Sequence, residues 1–175
     1  MTGVSAMNGT FAVLTFALGM YDAHTGCDSG CLSRVEADAR VNVSSGVVHF
    51  VGDLVGDEIY VRYDAPMANG PFQLVAGVSA TSTGDFWAGV GHTYTMETGS
   101  EGIFAELHAM TGIYMRGNGP ELGGPIEFRS GVEIGYKWSN GWRAGLSLDH
   151  RSNAEIYASN PGVETVQFRV SMPLD

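Results

Sequence analysis

The stretch EFRSGVEIGYKWSNGWRAGLSLDHRS, residues 127–152, decides the fold. Phe128, Val132, Ile134, Tyr136 and Trp138 share one parity, and Glu127, Arg129, Glu133 and Lys137 share the other. After the turn signal SNG, Trp142, Ala144, Leu146 and Leu148 alternate in the same way with Arg143, Gly145, Ser147 and Asp149. A period of two places successive side chains on opposite faces of a strand, and the SNG between two such runs predicts a tight hairpin.

The pattern spreads outward from this hairpin. TVQFRVSMPL, residues 165–174, sets Val166, Phe168, Val170, Met172 and Leu174 against Thr165, Gln167, Arg169 and Ser171. Further strand candidates run at 10–21, 57–64, 71–80, 86–96 and 101–115, which makes eight with no helix-period segment between them. VEADARVNV (35–43) and GVVHFVGDLV (46–55) also alternate. The segment 24–56 is therefore either an inserted hairpin, bringing the total to ten strands, or an elaborated loop. No internal repeat, low-complexity tract or linker divides the chain, so residues 1–175 read as a single domain.

Alternation fits a soluble sandwich or a membrane barrel, because the two exchange inside and outside. The content of the polar parity separates them. Gly89, Gly91, Gly131, Gly135 and Gly145 fall on it, and a narrow lumen needs small residues where a solvated face does not. Arg129, Glu133, Lys137, Arg143, Asp149 and Arg169 bring both charge signs to the same parity, as an interior ion-pair network requires. Tyr114, Tyr136, Trp138 and Trp142 stand near predicted strand ends, where an interfacial aromatic girdle would lie. The expectation is an all-β, antiparallel up-and-down transmembrane β-barrel of eight strands, or ten with the 32–55 segment.

A net charge of −10 with nine Lys and Arg supplies no basic patch for tracking phosphates, so nucleic acid is not expected as a partner. No Lys or Arg precedes Arg34, so the apolar N-terminal stretch lacks the charged start of a signal peptide. Cys27 and Cys31, in GCDSGC, are too few ligands for a metal even with His24 nearby. A local disulfide is favoured over two free thiols, and no metal or cofactor is expected.

His150 and Ser152 continue the apolar parity of Trp142, Ala144, Leu146 and Leu148. Glu164 precedes Val166, Phe168 and Val170 on the apolar parity of the next strand. In a barrel all three face the lipid, where polar groups are costly unless they serve a purpose. Residues two apart on a strand have Cα atoms roughly 6.5–7 Å apart and parallel side chains. An imidazole can then act as base for the serine hydroxyl, with a carboxylate on the neighbouring strand holding the other ring nitrogen. Asn153 and Asn160 lie in or beside the connecting loop and could donate to a developing oxyanion. The competing reading is a polar loop of turn formers closed by NPG (160–162). His92 and His108 stand alone within strands and read as structural, and the Gly/Pro-rich 112–125 reads as a long loop that could help cover substrate.

HRSNAEIYASNPGVE, residues 150–164, resembles the signature of the lipid A 3-O-deacylases, the PagL or outer-membrane acyloxyacyl hydrolase-like family. The EFRSG strand and the hairpin after it are also similar, and the likeness is best from about residue 71 onward. The resemblance implies an eight-stranded barrel in the bacterial outer membrane, with lipid A or lipopolysaccharide as substrate and outer-membrane lipid around it. His150 becomes the base, Ser152 the nucleophile and Glu164 the orienting acid, and Asn153 and Asn160 fall on positions associated with the oxyanion. Two alternatives stay open: a non-enzymatic lipid-binding or structural barrel, and an esterase acting on phospholipids. A homodimer is also left open.

Overall fold

The computed structural model describes residues 9–26 and 31–174. Helix α1 (Thr10–Thr25) is followed by strands β1 (Arg34–Glu36), β2 (Arg40–Phe50), β3 (Asp53–Asn69), β4 (Phe72–Thr81), β5 (Phe86–Glu97), β6 (Gly102–Met115), β7 (Ile126–Lys137), β8 (Arg143–Ser152) and β9 (Val163–Pro173). Each strand from β2 to β9 pairs antiparallel with the next, and β2 pairs with β9, so eight strands close into an up-and-down barrel. Among the described residues the short β1 pairs only with the end of β3.

Closure corrects two readings of the N-terminal third. Residues 10–21, expected as a strand, form α1. The run TFAVLTFALGMY alternates well enough for a strand, but Thr15, Gly19 and Ala23 are buried at four-residue spacing, the face of a helix. The eighth strand is instead β2, drawn from the 24–56 segment that was read as an insertion or loop. β2 lies between β3 and β9, so without it the barrel would have two open edges.

Polarity is inverted relative to a soluble protein. On β3, Glu58, Tyr60, Arg62 and Asp64 are buried while Ile59, Val61 and Tyr63 are exposed. On β8 and β9, Ser147, Asp149, Gln167 and Arg169 are buried, whereas Leu146 is 64% and Phe168 56% exposed. The lumen is closed by ion pairs. Arg129 reaches Glu58 at 2.8 Å and Asp149 at 2.7 Å, with its guanidinium 3.9 Å from the centre of the Tyr60 ring. Arg169 reaches Glu133 at 2.7 Å, and Arg62 spans Asp64 and Glu106 at 2.7 and 2.6 Å. The lumenal glycines make room for large rings. A Cβ at Gly112 would stand 2.6 Å from the Trp87 indole, which is fully buried.

Tyr136, Trp138 and Trp142 cluster, exposed, around the β7–β8 turn. Tyr114 departs from that expected girdle. It lies on the lumenal parity, buried, and its hydroxyl donates to the Pro120 carbonyl at 3.0 Å. Cys31 is disulfide-bonded; Cys27 lies outside the described residues.

Replacing Arg129 with Met would leave the buried Glu58 and Asp149 short of a cation. The expected loss is about 3–5 kcal/mol of unfolding free energy, read by urea titration of the barrel in detergent. A loss below ~1 kcal/mol would mean that the lumen does not hold the barrel together.

Candidate active site

Register builds the site. β8 and β9 pair so that His150 stands directly opposite Glu164, and the outward parity of both strands brings their side chains together. His150 Nδ1 lies 3.2 Å from Glu164 Oε1. On its other side Glu164 stands opposite His49 of β2, a neighbour that sequence distance conceals. Ser152 follows His150 on the same face at the end of β8. Both are buried although they belong to the outer wall, while Glu164 keeps a side-chain exposure of 23%. No hydrogen bond joins Ser152 to His150 among the described residues.

The β8–β9 loop packs against these groups. Gly162 adopts φ +67°, and a Cβ there would stand 2.8 Å from His150 Cε1, so only glycine lets the chain pass this close. Ala154 and Glu155 hold left-handed backbone at φ 52° and 65° immediately after the Ser152–Asn153 pair. Strain of this kind persists where surrounding contacts over-determine it. Asn153 supplies those contacts. Its Nδ2 donates to the carbonyls of Leu122 at 2.6 Å and Ser159 at 2.7 Å, and its Oδ1 accepts from the Glu155 amide at 3.0 Å. The Asn153 side chain thus acts as a loop clamp, with its amide hydrogens already engaged. Asn160 differs: its Oδ1 accepts from the Asn153 amide at 2.9 Å, while its buried Nδ2 has no partner among the described residues.

Neighbouring loops are tied at the same end. Asp85, in the β4–β5 loop, is buried and accepts from the amides of Gly117 at 2.7 Å and Gly119 at 3.1 Å. It also accepts from the hydroxyls of Thr83 at 2.7 Å and Thr81 at 3.1 Å. The Gly/Pro-rich β6–β7 loop is thereby pinned to its neighbour, and Ile126 at its end donates to the Tyr157 hydroxyl at 3.3 Å.

A groove runs from the site along the outer wall. The register aligns His150 with Ser130, Ser130 with Ala109, Ala109 with His92 and His92 with Leu74. Beside it runs the row Ser152, Phe128, Thr111 and Val90. At ~4.8 Å per strand, four steps from β8 to β4 span about 19 Å. Small residues, Ser130 and Ala109, form its floor, and its volume is about 510 Å³. Sequence reading missed this groove because its residues come from five strands. His92, read as structural, lines it. His108 and Glu106, by contrast, are buried on the lumenal side.

Inverted polarity, a closed eight-strand wall and a polar constellation set into its lipid-facing side define the class, a transmembrane β-barrel with a candidate hydrolytic site. The family model for lipid A 3-O-deacylase (PagL) matches residues 57–173, and the chain belongs to that family. The crystal structure of the outer membrane enzyme PagL is similar at a TM-score of 0.61 and 18% identity, covering 77% of this chain and 99% of that one. A de novo designed transmembrane β-barrel gives 0.56 at 11% identity, with 80% and 100% covered. Neisserial surface protein A gives 0.50 at 9%, with 81% and 99% covered. No curated protein matches the chain.

The Asp85 clamp carries a pH signature. Burial alone would raise the pKa of this carboxyl, but the donated hydrogen bonds of Thr83, Gly117, Thr81 and Gly119 outweigh it and hold the pKa below the ordinary value. The unfolded group titrates near ~3.9. A depressed folded-state pKa contributes stability that is full above the unfolded pKa and lost as pH falls through the folded one. Hydrogen exchange at the Gly117 and Gly119 amides should therefore be flat from neutral pH down to about 4, after correction for intrinsic rates, and accelerate below. Asp85→Asn should remove that acid dependence; unchanged behaviour would assign it to another group.

Proposed function

We propose that this protein is an outer-membrane serine esterase that hydrolyses the ester-linked acyl chain at the 3-position of lipid A. The observation that carries the reading is the register-enforced pairing of His150 with Glu164, with Ser152 on the same lipid-facing side, in a chain of the deacylase family. A lipid substrate reaches such a site laterally from the membrane, without leaving the bilayer.

In this reading Ser152 Oγ attacks the acyl carbonyl while His150 Nε2 takes its proton. Glu164 holds Nδ1, fixes the tautomer and stabilises the imidazolium that forms. The Nδ2 of Asn160 is the side-chain donor best suited to the oxyanion, since that of Asn153 is occupied by Leu122 and Ser159. Collapse of the tetrahedral intermediate breaks the ester bond, and the departing sugar hydroxyl takes the proton from His150. Water, deprotonated by the same imidazole, then releases the fatty acid from the acyl-serine. The role of Asn153 is to hold the turn that sets Ser152 and Asn160 side by side.

The test is the mass of lipid A after incubation of purified lipopolysaccharide with detergent-refolded protein. The unmodified chain should remove one hydroxyacyl group. Ser152→Ala and His150→Ala should each lower kcat by about 10⁴-fold or more, and Asn160→Ala by about 10²–10³-fold, with the barrel folded. Turnover retained in both Ser152→Ala and His150→Ala would sink the triad. Loss of an acyl chain from phospholipid instead would redirect the substrate assignment. No mass change with any lipid would leave a lipid-binding barrel without catalysis.

A further inference from the structure

Helix α1 lies outside the barrel, packed across β6 with β5 and β7 at its sides. No helix among the described residues is long and apolar enough to cross a membrane. At 16 residues α1 is about 24 Å long. Its seat is specific. Thr15, Gly19 and Ala23 are buried at four-residue spacing, as in closely packed helices within lipid. A Cβ at Gly19 would run into the Phe72 ring, and Phe16 packs on that ring at a centroid distance of 5.8 Å. Phe11 joins the cluster of Phe72, Tyr94 and Leu107 on the wall. The opposite face is apolar too: Val13 is 67% and Tyr21 69% exposed, so both faces suit a lipid environment.

The start of this helix reaches the groove described above. Gly9, Ala12 and Phe16 line it together with His92, Ala109, Thr111, Ser130, His150 and Ser152. The barrel supplies the floor and α1 an outer bank. The family match begins at residue 57, so this bank is contributed by a part of the chain outside the matched region.

We propose that α1 is part of the substrate site, forming the outer bank of the acyl-chain channel, with the side chains at positions 12 and 16 setting the length of chain accepted. The proposal rests on the esterase reading for its occupant, and continuity carries it: one end of the groove opens at Ser152 and His150, where the ester must sit. The small residues Gly9 and Ala12 leave the channel open near the site, and Phe16 narrows it further along. An acyl chain lying there is covered on one side by protein rather than by mobile lipid, so its fit depends on helix side chains.

The test uses the full chain refolded in detergent and the hydroxydecanoyl, hydroxytetradecanoyl and hydroxyhexadecanoyl esters of glucosamine. Ala12→Trp should lower the ratio of kcat/KM for the longest over the shortest ester by about tenfold, and Phe16→Ala should raise it by a similar factor. Gly19→Leu, which lifts the helix from Phe72, should flatten the profile. Unchanged ratios in folded, active variants would overturn the proposal. If the wild-type protein cleaves none of the esters, the esterase reading fails, and the channel is judged by calorimetric binding of the hydroxytetradecanoyl ester to the Ser152→Ala protein. Binding weakened about tenfold by an added Ala12→Trp change supports the helix as bank, and equal binding overturns it.

Discussion

Arg129 stands in the barrel lumen between Glu58 and Asp149, above the ring of Tyr60, and the rest of the architecture depends on this kind of contact. A barrel in lipid gains little from facing apolar side chains outward, since they are apolar on either side of folding within the membrane. Its cohesion comes from the closed ladder of backbone hydrogen bonds and from a network of buried ion pairs across the interior. Arg62, Arg129, Arg151 and Arg169 thread from β3, β7, β8 and β9 onto Glu106, Glu58 and Glu133, tying non-adjacent strands across the lumen, while Asp64 and Asp149 pair within or beside the arginine's own strand. Glycines opposite Trp87 let the remaining space close around rings without forcing the backbone apart.

A rigid interior fixes where the side chains of the outer wall stand. Once the lumen fixes the strands, the position of an outward side chain follows from register, and His150 meets Glu164 because β8 and β9 pair at those residues. The lumenal Arg151 sits between His150 and Ser152 in the chain and pairs with Glu58, so the strand bearing both outward groups is anchored from inside. Loops complete the arrangement. Asp85, Asn153 and Tyr157 join the β4–β5, β6–β7 and β8–β9 connections, holding a strained turn where an extended loop would leave Ser152 loosely oriented. The cost of backbone at Ala154 and Glu155 is offset by these contacts.

The match over residues 57–173 places most of β3, the strands β4 to β9 and the β8–β9 loop within the family, with β2 outside the matched region. At 18% identity, the likeness to the PagL crystal structure speaks for the fold. Geometry distinguishes the individual side chains. There Asn153 and Asn160, equivalent in a reading of types and spacing, separate into a clamp with engaged donors and a residue with an open one.

From its sequence this protein determined the parity of its wall and, with it, which residues face lipid and which face the lumen. Alternation is a local property of extended backbone, so Leu146 and Asp149 could be sorted without knowing any partner strand. The same parity put His150, Ser152 and Glu164 on one side. Register and closure were decided only in three dimensions, because they rest on hydrogen bonds between residues far apart in the chain. The approach of His49 to Glu164, the row from His150 to Leu74, and the choice of β2 as the closing strand are of this kind. Residues 10–25 show the limit most plainly. A short apolar run satisfies both a strand and a helix period, and the fit of Gly19 against Phe72 on a finished wall selects the helix.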